Sequence, residues 1–125
     1  ENAGGETRLY YAARKGLCAA ITWLLEQGAD VNVGWPRAGE TPLHDAAYRG
    51  HCDAAVLLLD AGARVDDRNR YGNTALHRAA AMGGHTNMCK LLLSRGASLD
   101  VRNNSGDDPE ALVRHRGRTA TADLL

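Results

Sequence analysis

Short apolar runs punctuate this chain at near-equal intervals: Leu24-Leu25, Val56-Leu57-Leu58-Leu59 and Leu91-Leu92-Leu93. Each is followed within a few residues by Gly-Ala, at Gly28-Ala29, Gly62-Ala63 and Gly96-Ala97. A short apolar run stopped by a glycine able to turn left-handed predicts a helix end. Upstream of each run lies a polar start and a pair of alanines: Ala12-Ala13, Ala46-Ala47 and Ala79-Ala80. Thr41 and Thr74 are good helix N-caps, and Pro42 suits a first helical position, where its missing N–H costs nothing. The alanines are small enough for this first helix to lie close to its neighbours. Gly16, Gly50 and Gly84 suit the turn that ends it. The pattern predicts helices near 8–15, 18–27, 42–48, 52–61, 75–82, 86–94, 109–115 and 119–125, joined by turn-rich connections such as Asp30-Val31-Asn32.

The elements recur as a unit. Thr41-Pro42-Leu43-His44-Asp45-Ala46-Ala47 reappears further along as Thr74-Ala75-Leu76-His77-Arg78-Ala79-Ala80. A weaker copy, Thr7-Arg8-Leu9-Tyr10-Tyr11-Ala12-Ala13, stands about as far upstream, and a degraded one begins at Asp108-Pro109-Glu110-Ala111-Leu112-Val113. A period of roughly 34 residues implies stacked helix–turn–helix units that bury a core only against one another.

The T-P-L-H-x-A-A, G-H and G-A-x-V segments together closely resemble the ankyrin repeat. The resemblance divides a single domain, residues 1–125, into repeats at about 6–39, 40–72, 73–105 and a partial or capping unit at 106–125. It implies an all-α solenoid of paired helices with β-hairpin fingers along one side. Two departures fall in connections, where added length costs little. The first finger, Val33 to Gly39, is one residue longer than the second, and the third unit carries an extra residue within Ala81-Met82-Gly83-Gly84. Asn32 resembles the hairpin asparagine that oxygenases hydroxylate in some ankyrin proteins.

Composition narrows the chemistry. The 15 basic and 15 acidic residues cancel, so no global field draws the chain to nucleic acid or an acidic membrane. Residues 1–60 carry five Lys/Arg against eight Asp/Glu, and residues 61–125 carry ten against seven. No apolar run approaches the roughly 20 residues of a membrane span. Cys18, Cys52 and Cys89 are an odd number without disulfide-rich spacing, which reads as reduced thiols in an intracellular protein, cytoplasmic or nuclear. The chain opens at Glu1, and this reads as a piece of a longer protein.

Catalytic and metal readings find little support. His44 and His77 sit three residues after a cap threonine, where an imidazole bonds local backbone or hydroxyl groups. His51 and His85 follow turn glycines and are expected to bond backbone between units. Cys18 and Cys52 occupy equivalent places in successive repeats, about one helix spacing (~8–10 Å) apart, too far for the short bonds of a shared zinc. His44 and Asp45 are sequence neighbours on a helix and do not face one another. No phosphate-binding glycine motif occurs. The chain is read as neither an enzyme nor a cofactor or metal carrier.

The resemblance then makes the variable positions informative, because ankyrin proteins bind through finger tips and the exposed side of the first helices. Here the tips are expected to offer Trp35, Arg37, Glu40, Arg70, Tyr71, Asn73, Asn104 and Asp107. The first helices are expected to offer Tyr11, Arg14, Lys15, Asp45, Tyr48, Arg49, Arg78, Met82 and Arg114. Trp35, Arg37, Asp45, Tyr48, Arg49, Arg70, Tyr71, Arg78 and Met82 form the expected contact set, rich in the residue types that dominate binding hot spots. Trp35, in the enlarged finger, reads equally as a contact residue or as a ring folded over its own hairpin. Trp23, beside Leu24-Leu25, reads as core or inter-repeat packing. The expected role is a scaffold or adaptor module binding a protein or acidic peptide, as a monomer, with no small-molecule substrate and no membrane. Two alternatives remain at this point: a spacer or cap whose end faces matter instead, and a nucleic-acid contact by the basic cluster Arg114, His115, Arg116 and Arg118.

Overall fold

The computed structural model describes residues 3–34, 38–81 and 85–115, with side chains for those between Arg8 and Leu112. Seven helices are formed there: α1 Ala3–Lys15, α2 Cys18–Glu26, α3 Pro42–Arg49, α4 Cys52–Asp60, α5 Ala75–Ala81, α6 Thr86–Ser94 and α7 Pro109–His115. Helices α1, α3, α5 and α7 pack side by side as one layer, and α2, α4 and α6 form a second layer behind them. The helices expected near 18–27, 42–48, 52–61, 75–82, 86–94 and 109–115 appear within a residue or so. The one expected over 119–125 lies outside the described residues. Helix α1 starts at Ala3, well before the expected residue 8, and winds through Gly4 and Gly5.

The core lies between the two layers. Leu9, Ile21, Leu43, Leu58, Leu76, Met88 and Leu92 are fully buried, and Ala46, Ala47, Ala79 and Ala80 have no exposed surface. These alanines let α1, α3 and α5 approach one another, while the larger apolar residues fill the gap to the second layer. Each second helix ends as its glycine predicts: Gly28, Gly62 and Gly96 have φ of 92°, 101° and 92°. After α4 the Ala63 N–H bonds back to the Leu58 carbonyl at 3.0 Å, and Ala97 does the same to Leu92 at 3.0 Å, the six-to-one closure of a glycine-stopped helix.

Four histidines stitch the stack. Thr41 caps α3 and forms a reciprocal box with His44. The Thr41 N–H donates to His44 Nδ1 at 3.0 Å. Nδ1 is thereby an acceptor, so the ring proton sits on Nε2 and is donated to the Asn73 carbonyl of the next finger at 3.0 Å. Thr74, His77 and the Asp107 carbonyl repeat the arrangement at 3.1 and 2.9 Å. His51 and His85 run the other way: their Nε2 atoms lie 3.1 Å from the Arg14 carbonyl and 3.0 Å from the Tyr48 carbonyl of the preceding unit. The expected structural reading of all four rings is what the geometry shows.

The fingers are closed by their own asparagines. Asn69 Oδ1 accepts the Tyr71 and Asn73 N–H groups at 2.9 and 3.0 Å, and Asn103 Oδ1 accepts those of Ser105 and Asp107 at 3.0 Å each. Neighbouring fingers are tied by Arg70 N–H to the Ala38 carbonyl and Asn104 N–H to the Tyr71 carbonyl. Asn32 bridges the loops after α2 and α4, accepting from Arg64 N–H at 2.9 Å and donating to the Gly62 carbonyl at 3.1 Å. Among the described residues the fingers are hydrogen-bonded turns without regular strand.

Trp23 corrects an expectation: it is 55% exposed. Its equivalents Leu57 and Leu91 are partly buried and packed against the core, because the preceding helix pair covers them. Trp23 belongs to the first unit, and no helix pair among the described residues precedes it.

Candidate interaction face

The exposed side of the α1–α3–α5 layer and the finger before α5 enclose a shallow cleft of about 350 Å³, lined by Tyr10, Arg14, Glu40, Asn69, Tyr71 and Arg78 among others. Its floor is a charge network. Glu40, expected at a finger tip, is only 6% exposed, because it directly precedes the cap residue Thr41 and turns inward between repeats. Its Oε2 accepts from Asn69 Nδ2 at 2.8 Å and lies 2.9 Å from Arg78 Nε. The Arg78 guanidinium also stands over the Tyr48 ring at 4.0 Å, with Arg49 at 5.5 Å from the same ring. Ring and carboxylate together hold Arg78 from two sides.

Asp45 was expected on the open surface and is 3% exposed. It occupies the contact between first helices, where Arg14 Nε comes within 4.0 Å of Oδ2, too long for a hydrogen bond. Burial pushes its carboxyl above the usual range, against the pull of the Arg49 and Arg14 charges. Burial likewise raises the Tyr10 hydroxyl, reinforced by Asp45 and Glu40. Arg78, at 23% side-chain exposure, is corrected in the same sense: its charge is engaged inside the protein.

The expected contact set therefore divides. Tyr48 and Arg78 come together, both partly buried, over Glu40, while Asp45 is buried beside Arg14. Arg49, Arg70 and Tyr71 are exposed, Tyr71 by 62%. Trp35, Arg37 and Met82 lie outside the described residues. Asn104 and Asp107 spend groups on the stack itself, through the Asn104 bond to the Arg70 carbonyl at 2.8 Å and the Asp107 carbonyl at His77. Tyr11 points to a different surface, the end of the stack beside Leu17 and Trp23.

Glu40 and Asn69 as an anchoring pair escaped the reading of the sequence. One signal was present for Asn69: Arg68-Asn69 recurs one repeat later as Arg102-Asn103, as a repeated finger-closing residue should. None marked Glu40 as buried, because its partner lies in the next repeat.

Cys18, Cys52 and Cys89 are unpaired, and burial pushes the Cys89 thiol up to about 11, where it behaves as a small apolar side chain. Among the described residues no three His, Cys, Asp or Glu side chains gather to hold a metal ion. No helix there is long and apolar enough to cross a membrane.

No curated protein matches the sequence. The family model for ankyrin repeats, in three copies, matches residues 9–103, most of the chain. Ankyrin repeats are generally protein–protein interaction modules. The paired helices, the threonine–histidine caps, the glycine-stopped second helices and this match agree: the chain belongs to the ankyrin-repeat family.

Proposed function

We propose that the chain is a recognition module whose cleft face binds a protein or peptide through acidic side chains. The observation that carries this reading is the fixed stack of Arg78, Tyr48 and Arg49, anchored below by Glu40. Glu40 offsets one of these charges; Arg14 lines the cleft as well, and Arg49 and Arg70 are exposed. Exposed Tyr71 supplies apolar area at its edge. Because the floor is held by the Arg78–Glu40 ion pair, the Asn69–Glu40 hydrogen bond and a cation–π contact, little side-chain freedom is lost on docking.

Titration of immobilised chain with acidic, neutral and basic peptide pools tests this directly. Acidic peptides should bind best and weaken as salt rises. Arg49→Ala or Tyr71→Ala should each cost about 1 kcal/mol or more of binding if these are hot-spot residues. Arg95→Ala, at the end of α6 and paired with Asp60, should leave binding intact. Equal binding to all three pools, or full affinity in both cleft variants, would remove the proposal.

A further inference from the structure

The end of the stack formed by α1 and α2 presents an apolar cleft of about 340 Å³, lined chiefly by Tyr11, Ala12, Leu17, Ala20, Trp23 and Leu24. Tyr11, Leu17 and Trp23 are 44%, 50% and 55% exposed. The repeat register shows what this surface is. Tyr11 corresponds to Asp45 and Arg78, Leu17 to His51 and His85, and Ala20 to Ala54 and Met88. In both later units these positions are buried or partly buried against the unit before, with Ala54 and Met88 at 1% exposure. The cleft is thus the same inter-repeat face that is covered twice elsewhere in the molecule. Contiguous exposed apolar surface of this kind marks an interaction site.

A second observation identifies the occupant. Gly5-Glu6-Thr7 recurs one repeat later, in the same register, as Gly39-Glu40-Thr41. In the later copy this spelling ends a finger: Gly39 has φ of 67° and Thr41 caps the helix that follows. In the first copy the same spelling lies inside α1, which winds through Gly4 and Gly5, although glycine is the poorest helix-forming residue after proline. The sequence there is that of a finger, and a finger joins two consecutive helix pairs.

We propose that this end face receives one further helix pair of the same repeat type, preceding α1 in the polypeptide and joined to it through a finger at residues 3–7. The contact differs from the later ones in a defined way. His51 and His85 lie against Gly16 and Gly50 and bond a backbone carbonyl of the unit before. At the first unit the corresponding residue is Leu17, so the incoming turn is met by apolar packing alone. This inference is independent of the cleft that contains Arg78.

The test uses the chain's own repeat as the probe: residues 41–73 are duplicated ahead of Thr7, so that the Asn69–Asn73 finger leads into Thr7 as it leads into Thr74. A Trp35→Phe background leaves Trp23 as the only tryptophan. Trp23 emission should move to shorter wavelength, its quenching by acrylamide should fall several-fold, and the lengthened stack should unfold in one transition at higher temperature. Trp23→Glu or Leu17→Glu in the lengthened chain should split that transition in two. A duplicated repeat that stays unfolded, or folds while Trp23 remains as quenchable as before, overturns the proposal. So does a concentration-dependent protection of Trp23 in the original chain with dimer in sedimentation, which would make a second copy the occupant.

Discussion

At the scale of single residues, His44 and His77 show how much a short motif can encode. Each ring is neutral because Nδ1 must accept from the cap N–H while Nε2–H reaches the next finger. Burial lowers both below the ordinary value of 6.5. The unfolded chain therefore takes up protons first as pH falls, and this contribution to stability is lost below about pH 6.5. Denaturant unfolding should give a flat stability between pH 8 and about 7 and a decline towards pH 5.5. His77→Gln should start less stable but decline less steeply. A second residue-scale expectation concerns Arg78. Removing it by Arg78→Ala leaves the buried Glu40 carboxylate with Asn69 alone, at a cost of about 1–3 kcal/mol. Arg49→Ala, on the exposed side of Tyr48, should stay within about 0.5 kcal/mol. Paired chemical denaturation curves decide between this ranking and equal effects. The sequence showed arginines and tyrosines at variable positions, but which of them the stack engages depends on carboxylates from another repeat.

At the scale of elements, glycines with one backbone conformation do two different jobs. Gly50 ends α3 at φ 76°, and a Cβ there would stand 2.9 Å from His85 Nδ1. Gly62 ends α4 at φ 101° with open space around it. Gly62→Ala should therefore cost only the left-handed backbone, about 1–2 kcal/mol. Gly50→Ala should cost more, because the ring that bonds the Tyr48 carbonyl must also move. Thermal unfolding of the two variants gives the comparison, and a Gly62→Ala loss as large as that of Gly50→Ala would count against the His85 contact as a source of stability. The helix boundaries were legible because caps and stops are local chemistry: Thr41, Thr74 and the Gly-Ala pairs act within a few residues. The start of α1 was not, since Gly5-Glu6-Thr7 spells a finger while the chain winds as helix. Trp23 was misjudged for a related reason. Its apolar neighbours identify a second helix, but whether that helix is covered depends on the unit before it.

At the scale of the whole molecule, the repeats share one continuous core between two helical layers, so stability is coupled along the stack, while the proposed recognition face lies on one side of it. Leu58 has no exposed surface and sits in the middle unit, between layers that continue in both directions. Truncation to Ala should cost on the order of 2–5 kcal/mol through lost burial and a cavity. The loss should propagate to both neighbouring units, so circular dichroism and Trp23 fluorescence should report one shared, lower transition. Binding of acidic peptide to the Leu58→Ala variant should then fall only as far as the folded fraction falls, and recover on cooling. Arg49→Ala should do the reverse, with an unchanged melting curve and weakened peptide binding at every temperature below it. If Leu58→Ala weakens binding at temperatures where the stack is fully folded, the cleft and the core are not separable, and the face must be shaped by the middle repeat's packing as well as by its surface arginines.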